Sequence, residues 1–299
     1  MIRHAGILVR CCILQLIAST DASIAAYQDQ FLGLKTIFEE TKFPYWILVD
    51  NQTVMGLIVA AKEPRDHLQP ASTTFIQVYL FRHQEDAVTQ LLTTATQLAT
   101  DYNAAYLSCN VASNEETTIQ QVEGAGFSLL DETIKMGVPL QDAPAPQTNL
   151  TFTHASPAET PQILENLSIS MANTPGRLLH SVVSNIKKLP QEQLNHALSQ
   201  MEVVFVRDAT NTVGILSFEG PTIGLLGVRP QDRGKGYGTA ITQWAKNHLS
   251  EQGHFRAWLK VSVANAPALH IFEKEGFKAA ERTRLYVKTN PTLWQDPFL

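Results

Sequence analysis

A strand, a glycine-rich turn and a helix follow one another directly in the second half of the chain. Residues 223–228 form an apolar run typical of a buried strand. The turn contains glycine at alternate positions, Gly234, Gly236 and Gly238, and a segment with helical apolar spacing follows it. A helix N-terminus offers backbone N–H groups without partners, and glycines let that backbone approach an anion closely. The arrangement therefore predicts a binding site for a diphosphate group.

The spacing of the glycines separates this turn from two common nucleotide-binding loops. A dinucleotide fingerprint, G-x-G-x-x-G, would need its third glycine at Thr239, and no G-x-x-x-x-G-K-[ST] loop is present. The pattern that does match is Arg/Gln-x-x-Gly-x-Gly/Ala, with its first position at Arg233. Downstream, Asn265-Ala-Pro-Ala leads through a short helical segment to Gly276-Phe277.

These two motifs, in this order and spacing, resemble those of the GNAT superfamily of N-acetyltransferases. The resemblance implies that the turn holds the diphosphate of acetyl-CoA, or of another acyl-CoA, while the preceding strand contacts the pantetheine arm. The residues that it implies for cofactor binding are Leu226, Gly227, Val228, Arg233, Gly234, Lys235, Gly236, Tyr237, Gly238, Thr239, Asn265 and Phe272. Asn265 has a second interpretation, as an N-cap of the helix that follows it.

Charge and cysteine content limit the classes of function. Residues 1–146 carry 8 Lys and Arg against 16 Asp and Glu, whereas residues 147–299 carry 15 against 12, so the predicted anion site lies in the more basic half. No basic run or basic-aromatic platform indicates nucleic-acid binding. The three cysteines, Cys11, Cys12 and Cys109, have neither disulfide-framework nor metal spacing. We therefore expect no metal site, free thiols and a cytoplasmic location.

The N-terminal segment 5–18 is apolar except for Arg10 and Gln15. A first β-strand and a signal peptide are both compatible with it, and Arg10, which interrupts the apolar core, favours the strand. The segment is too short to span a bilayer, and we expect no membrane association. The sequence does not indicate an oligomeric state.

The two halves of the chain repeat one pattern. In the second half, residues 257–265 are followed by Gly276-Phe277 and then by a final strand. In the first half, residues 105–114 are followed in the same way by Gly126-Phe127 and by a strand through 134–138. We predict an α/β (α+β) protein with two tandem GNAT-like domains, each a mixed, mostly antiparallel central sheet flanked by helices. The expected bounds are 1–140 for the first domain, 141–148 for a proline-containing linker, 149–290 for the cofactor-binding domain and 291–299 for a tail.

The first copy lacks the phosphate loop. In this copy a strand at 74–81 is followed by a helix with apolar positions from Ala87 to Ala99. The segment between them, 82–86, contains no glycine and two carboxylates. Like charge and the absence of glycine disfavour a bound diphosphate there. We therefore expect one cofactor per chain, and a first domain that is structural or that walls the acceptor site of the second.

In the second half the pattern predicts strands at 150–154, 202–207, 213–218, 256–263 and 282–288. A capping box from Ser156 to Glu159 is expected to open one helix, and a further helix is expected near Pro190. Residues 208–211 read as the hairpin turn between two of the strands.

The resemblance implies that an amine attacks an acyl-CoA thioester directly. The family's general acid is a tyrosine in the second motif's helix, and the matching position here is Phe272, which cannot donate a proton. His270 and Tyr286 are the alternative acids, and Glu219 is the candidate base because it ends the strand before the cofactor strand.

The expected function is that of an acyl-CoA-dependent N-acyltransferase acting on an unidentified amine, in a small molecule or a protein. Because of Phe272, a non-catalytic acyl-CoA-binding or regulatory protein is the alternative. A scaffold that merely inherits the fold is disfavoured by the complete loop.

Overall fold

A computed structural model describes residues 14–21, 27, 44–62, 74–141, 148–172, 174–175, 198 and 201–294. Most of the expected linker, the helix expected near Pro190, the start of the N-terminal segment and residues 295–299 lie outside these ranges. Cys11 and Cys12 lie outside them too. The expected domain bounds therefore stay a prediction.

The described residues of the first half form six strands and two helices, which agree with the repeat pattern where that pattern made a prediction. The strands are β1 Gln15–Ala18, β2 Tyr45–Asp50, β3 Thr53–Lys62, β4 Thr74–Leu80, β5 Tyr106–Ala112 and β6 Ser128–Pro139. The helices are α1 Glu85–Asp101 and α2 Glu116–Gly124. Helix α1 buries alanine, valine and leucine at helical spacing against β3 and β4.

The described residues of the second half form six strands and three helices. The strands are β7 Leu150–His154, β8 Glu202–Asp208, β9 Asn211–Glu219, β10 Thr222–Val228, β11 Arg256–Ser262 and β12 Lys278–Thr289. The helices are α3 Thr160–Met171, α4 Tyr237–Glu251 and α5 Ala266–Lys274. The expected hairpin turn joins β8 to β9, with Ala209 at a φ of 51°.

The predicted capping box forms only in part. The Glu159 carboxylate accepts a hydrogen bond from the Ser156 backbone N–H at 2.8 Å. A 3-10 turn, Pro157–Glu159, intervenes, so α3 begins at Thr160 without a side-chain cap.

One mixed sheet contains the twelve strands of the described residues, in the order β1-β2-β3-β4-β5-β12-β6-β11-β10-β9-β8-β7. The predicted fold class is confirmed, with one difference: the sheets of the two halves are joined, because their last strands change places. Strand β12 pairs with β5, and β6 pairs with β11. Each half thus completes its sheet with the final strand of the other.

The exchanged strands also complete the cores. Tyr286 of β12 is buried among residues of β3, β4, α1 and α2. Ile134, Met136 and Val138 of β6 are buried against the strands and helices of the second half. Beyond the C-terminal end of β12, Trp294 packs edge-to-face on Tyr106 at 5.3 Å. The two halves therefore share their hydrophobic cores.

Among the described helices, none is long and apolar enough to cross a membrane.

Candidate active site

A cleft opens between β10 and β11. These neighbouring parallel strands pair only at Thr222↔Trp258 and Ile223↔Leu259. Beyond Ile223, β10 continues to pair with β9 on its other side but no longer with β11. The backbone of both strands is thus accessible from the space between them.

A bulge in β10 accompanies this separation. Between Ile223 and Leu226, β10 has one residue more than its partner strand β9. The backbone N–H of Leu225 donates to the Ser217 hydroxyl at 2.9 Å. Ser217 is buried, and a Cβ added at Gly224 would lie 3.0 Å from its oxygen. The serine therefore fixes the bulge from the neighbouring strand.

Two adjoining cavities occupy the cleft, an inner one of about 280 Å³ and an outer one of about 370 Å³. Leu226, Asn265 and Ala268 line both. The inner cavity is also lined by Asp131, Thr133, Leu225, Leu259, Lys260, Val261, Ser262 and Phe272. The outer cavity is also lined by Gly227, Val228, Arg233, Gly234, Gly236, Tyr237, Gly238 and Thr239. The structure thus brings together all the predicted cofactor-binding residues except Lys235.

The glycine-rich turn exposes the N-terminus of α4 to the outer cavity. Gly236 is the N-cap residue, with a φ of 84°, and Gly234 has a φ of 82°. Both values lie in the left-handed region that glycine adopts at little cost. No side chain caps the helix, and its first turn holds no acidic residue. The first N–H groups of α4 have no acceptor within the helix, so this end is suited to an anion.

Arg233 holds the turn in place through its side chain. Its guanidinium donates to the carbonyl oxygens of Val228 at 3.1 Å, Ser170 at 3.1 Å and Ala172 at 2.8 Å. The last two carbonyls belong to the C-terminal end of α3, where a cation is favourable. The sequence motif gave no sign of this anchoring role, because α3 is distant in the chain.

Two other loop side chains are also engaged. Lys235 pairs with Asp232 at 2.7 Å and does not line the outer cavity. The Tyr237 hydroxyl donates to the Asp208 carboxylate, and this hydrogen bond raises the pKa of the tyrosine above its usual value. Tyr237 thus connects the turn to the end of β8.

Asn265 has the capping geometry that the sequence left open. Its side-chain oxygen accepts the N–H of Ala268 at 3.3 Å at the start of α5, and the residue also lines both cavities. Phe272 lies one turn further along α5, is 7% exposed, and contacts Phe277 edge-to-face at 5.8 Å. The inner cavity therefore has an apolar ring at the position of the family's tyrosine.

The three candidate acid and base residues lie outside both cavities. His270 is exposed on α5, and Glu219 is exposed at the end of β9. Tyr286 is buried in the core of the first half, where its hydroxyl donates to Glu123 at 3.0 Å. Burial, and then this hydrogen bond, raise the pKa of Tyr286. The exchange of β12 puts Tyr286 in that core, which argues against it as the acid.

The first half contributes the carboxylate of the inner cavity. Asp131 of β6 is 7% exposed, and the hydroxyl of Ser262 on β11 donates to it at 2.7 Å. Thr133 of β6 lines the same cavity. Sequence reasoning missed Asp131, because its place depends on β6 crossing into the second half. Its neighbours Glu132 and Thr133 are polar as well, so the local sequence did not mark Asp131.

The equivalent position in the first half is closed. Strands β4 and β5 stay paired through four positions, Phe75↔Tyr106 to Val78↔Cys109, and the β3–β4 register has no shift. The helix that follows starts with Glu85 and Asp86. Within the described residues, the bulge, the opening and the glycine turn thus occur together in the second half alone.

Comparisons with known proteins agree with this geometry. The model of the acetyltransferase (GNAT) family matches residues 203–277, from β8 to the end of α5. A streptothricin acetyltransferase from Streptomyces lavendulae is 39% identical over 56 residues. That match covers 19% of this chain and 30% of the relative.

Solved structures extend the likeness to almost the whole chain. A GCN5-related N-acetyltransferase from Sphaerobacter thermophilus has a TM-score of 0.66 at 15% identity, covering 92% of this chain and 95% of that one. A tandem GNAT protein from the clavulanic acid biosynthesis pathway has a TM-score of 0.61 at 14% identity, covering 92% and 98%. Residues 203–277 therefore match the acetyltransferase (GNAT) family, and the chain as a whole has the fold of tandem GNAT proteins.

Proposed function

We propose that this protein is an acyl-CoA-dependent N-acyltransferase that transfers an acetyl group from acetyl-CoA to an amine. The observation that carries the proposal is a continuous cleft with an uncapped helix N-terminus at its outer end and a buried carboxylate at its inner end. The first end suits a diphosphate, and the second suits an amine.

The cofactor would lie along β10. Its diphosphate would accept hydrogen bonds from the first N–H groups of α4, around Gly236 to Thr239. Its pantetheine arm would run between β10 and β11, where the edge of β10 that no longer pairs with β11 can hydrogen-bond the amides of the arm. The thioester would then reach the inner cavity, between Leu226 and Phe272.

Acyl transfer at the inner end needs a base for the amine. The acceptor nitrogen attacks the thioester carbonyl carbon, a C–N bond forms, and the C–S bond breaks. We assign the proton of the attacking nitrogen to Asp131, directly or through a water molecule. Because this carboxylate is buried, it also favours an acceptor that arrives as a cation.

The departing CoA thiolate needs a proton, and no tyrosine lines the inner cavity within the described residues. Phe272 occupies the position at which the sequence resemblance implies a tyrosine, and the Tyr237 hydroxyl already donates a hydrogen bond to Asp208. We therefore assign this protonation to solvent, which predicts slow turnover. The same observation favours the second candidate function, a protein that binds acyl-CoA without turning it over.

Free Cys109, which is buried, supports a cytoplasmic location as part of the proposal. The streptothricin acetyltransferase relative supports acetyl as the acyl group. The match covers only 30% of that relative, so the acceptor is proposed only as an amine.

The experiment is a steady-state assay of CoA release with a panel of amines, with mass spectrometry of the products. Asp131→Asn keeps an acceptor for the Ser262 hydroxyl but removes the base, and kcat/KM should fall about 100-fold or more. Its affinity for CoA should stay unchanged. Glu219→Gln is the matched control, and we expect it to leave the rate unchanged.

The assay tests the transfer activity and the assignment of the base separately. CoA binding without acetylated product from any amine would favour the non-catalytic function. A rate that falls with Glu219→Gln and not with Asp131→Asn would contradict the assignment of the base.

A further inference from the structure

Two histidines and a glutamate converge at the opposite end of α4 from the glycine turn. They are His154 of β7, Glu202 of β8 and His248 of α4. His248 lies twelve residues beyond Gly236, which corresponds to roughly 18 Å along the helix. The cluster is therefore separate from the cleft.

One carboxylate oxygen is close to both imidazoles. Glu202 Oε1 lies 3.0 Å from His154 Nδ1 and 2.7 Å from His248 Nε2. The three ligand atoms all lie within 4.8 Å of one another. Each of these atoms has a lone pair that can be directed at a common point.

Protons alone do not satisfy every contact in the cluster. His248 Nε2 must carry a hydrogen to donate to Glu202, but it must lack one to accept from Gln252 Nε2, which lies at 3.0 Å. The Gln252 amide also donates to Glu202 Oε2 at 3.0 Å. A cation bound by the lone pairs of His248 and Glu202 would replace the proton between them, with the Gln252 amide donating to Glu202 alone.

We propose that His154, Glu202 and His248 form a binding site for a divalent transition metal of the zinc type. Two imidazoles and one carboxylate are a common protein ligand set for Zn²⁺, with water as the fourth ligand. The His154 side chain is 57% exposed, so the fourth position is open to water.

The surrounding residues hold the ligands in place. The His248 ring stacks on Trp244 at 4.7 Å with an interplanar angle of 10°, and Trp244 stacks on Phe152 at 4.1 Å. The pairing of β7 with β8 holds the backbone of His154 opposite Val204. Binding therefore needs little rearrangement beyond the exposed side chain of His154.

A metal at this site would join the edge strand β7 to β8 and α4, the helix that begins at the glycine turn. The sequence predicted no metal because the ligands come from three distant segments and form no spacing motif. The expected role is to stabilise the edge of the second half.

The test is calorimetric titration of ZnCl₂ into tag-free protein that has been stripped of metal with a chelator. We expect one Zn²⁺ per chain and a higher Tm in the presence of Zn²⁺. Co²⁺ should give the visible absorption of tetrahedral coordination, and it should quench the fluorescence of Trp244.

His154→Gln changes the most exposed ligand and should not prevent folding. We expect it to weaken Zn²⁺ binding at least tenfold and to abolish the rise in Tm. Glu202→Gln should do the same. His270→Gln, an exposed histidine outside the cluster, is the matched control and should bind like the wild type. No binding by the wild type, unchanged binding in both cluster variants, or an equal loss in His270→Gln would overturn the proposal.

Discussion

Replacing Gly236 with alanine should separate backbone strain from loss of the anion site. Gly236 has a φ of 84°, and a Cβ added there meets no atom within 4 Å. An L-residue in this conformation costs about 1–2 kcal/mol. The free energy of unfolding, measured by urea denaturation, should fall by this amount.

The affinity for CoA should fall as well. An alanine at the N-cap can relieve its strain only by rotating φ, which turns the first N–H groups of α4 away from the outer cavity. We expect at least a tenfold loss, about 1.4 kcal/mol, in calorimetric titration with CoA.

Gly253 provides a matched control at the other end of α4. Its φ is 85°, and a Cβ added there also meets no atom within 4 Å. Gly253→Ala should therefore lose the same stability while keeping the wild-type affinity for CoA. Equal affinity in both variants, with equal stability losses, would refute the assignment of the turn to the diphosphate.

Three further predictions concern the framework of the site. Ser217→Ala leaves the Leu225 N–H without its acceptor, so it should cost about 1–3 kcal/mol in urea denaturation and weaken CoA binding. The Glu275 carboxylate is 8% exposed and lies 2.8 Å from the Lys246 ammonium, so Lys246→Met leaves it buried without its cation. Thermal denaturation should show a loss of about 3 kcal/mol in the free energy of unfolding, which adding Glu275→Leu should partly restore. Burial raises the pKa of the Cys109 thiol to about 12 from 9.0. The protonated Cys109 thiol therefore contributes fully to stability below pH 9. This contribution is lost as the pH rises toward 12, by up to about 1.4 kcal/mol per pH unit, and Cys109→Ala should remove this slope in denaturation curves at pH 9 and 11.

Local pattern was enough to predict much of the fold. The apolar strand, the glycine turn and the amphipathic α4 lie next to one another in the chain, so their arrangement follows from spacing and backbone conformation. The internal repeat likewise identified β4, α1, β5 and β6 by comparison with their second-half equivalents. These features depend on contacts between neighbouring residues.

The exchange of β6 and β12 could not be predicted in the same way. The two strands occupy equivalent positions in the repeat. The alternation of apolar and polar residues along each strand is therefore compatible with the sheet of either half. The locations of Asp131 and Tyr286 depend on this exchange. The sequence therefore contained no sign of Asp131 at the inner cavity, or of Tyr286 in the core of the first half. The anchoring role of Arg233 and the His154–Glu202–His248 cluster also depend on contacts between distant segments.

The number of acyl-CoA molecules bound per chain tests the central claim most directly. The bulge, the separated strands and the glycine turn occur together in the second half, whereas β4 and β5 of the first half remain paired. Calorimetric titration of the wild-type protein with acetyl-CoA should therefore saturate at one equivalent per chain. Saturation at two equivalents, or no binding by the folded protein, would contradict the account.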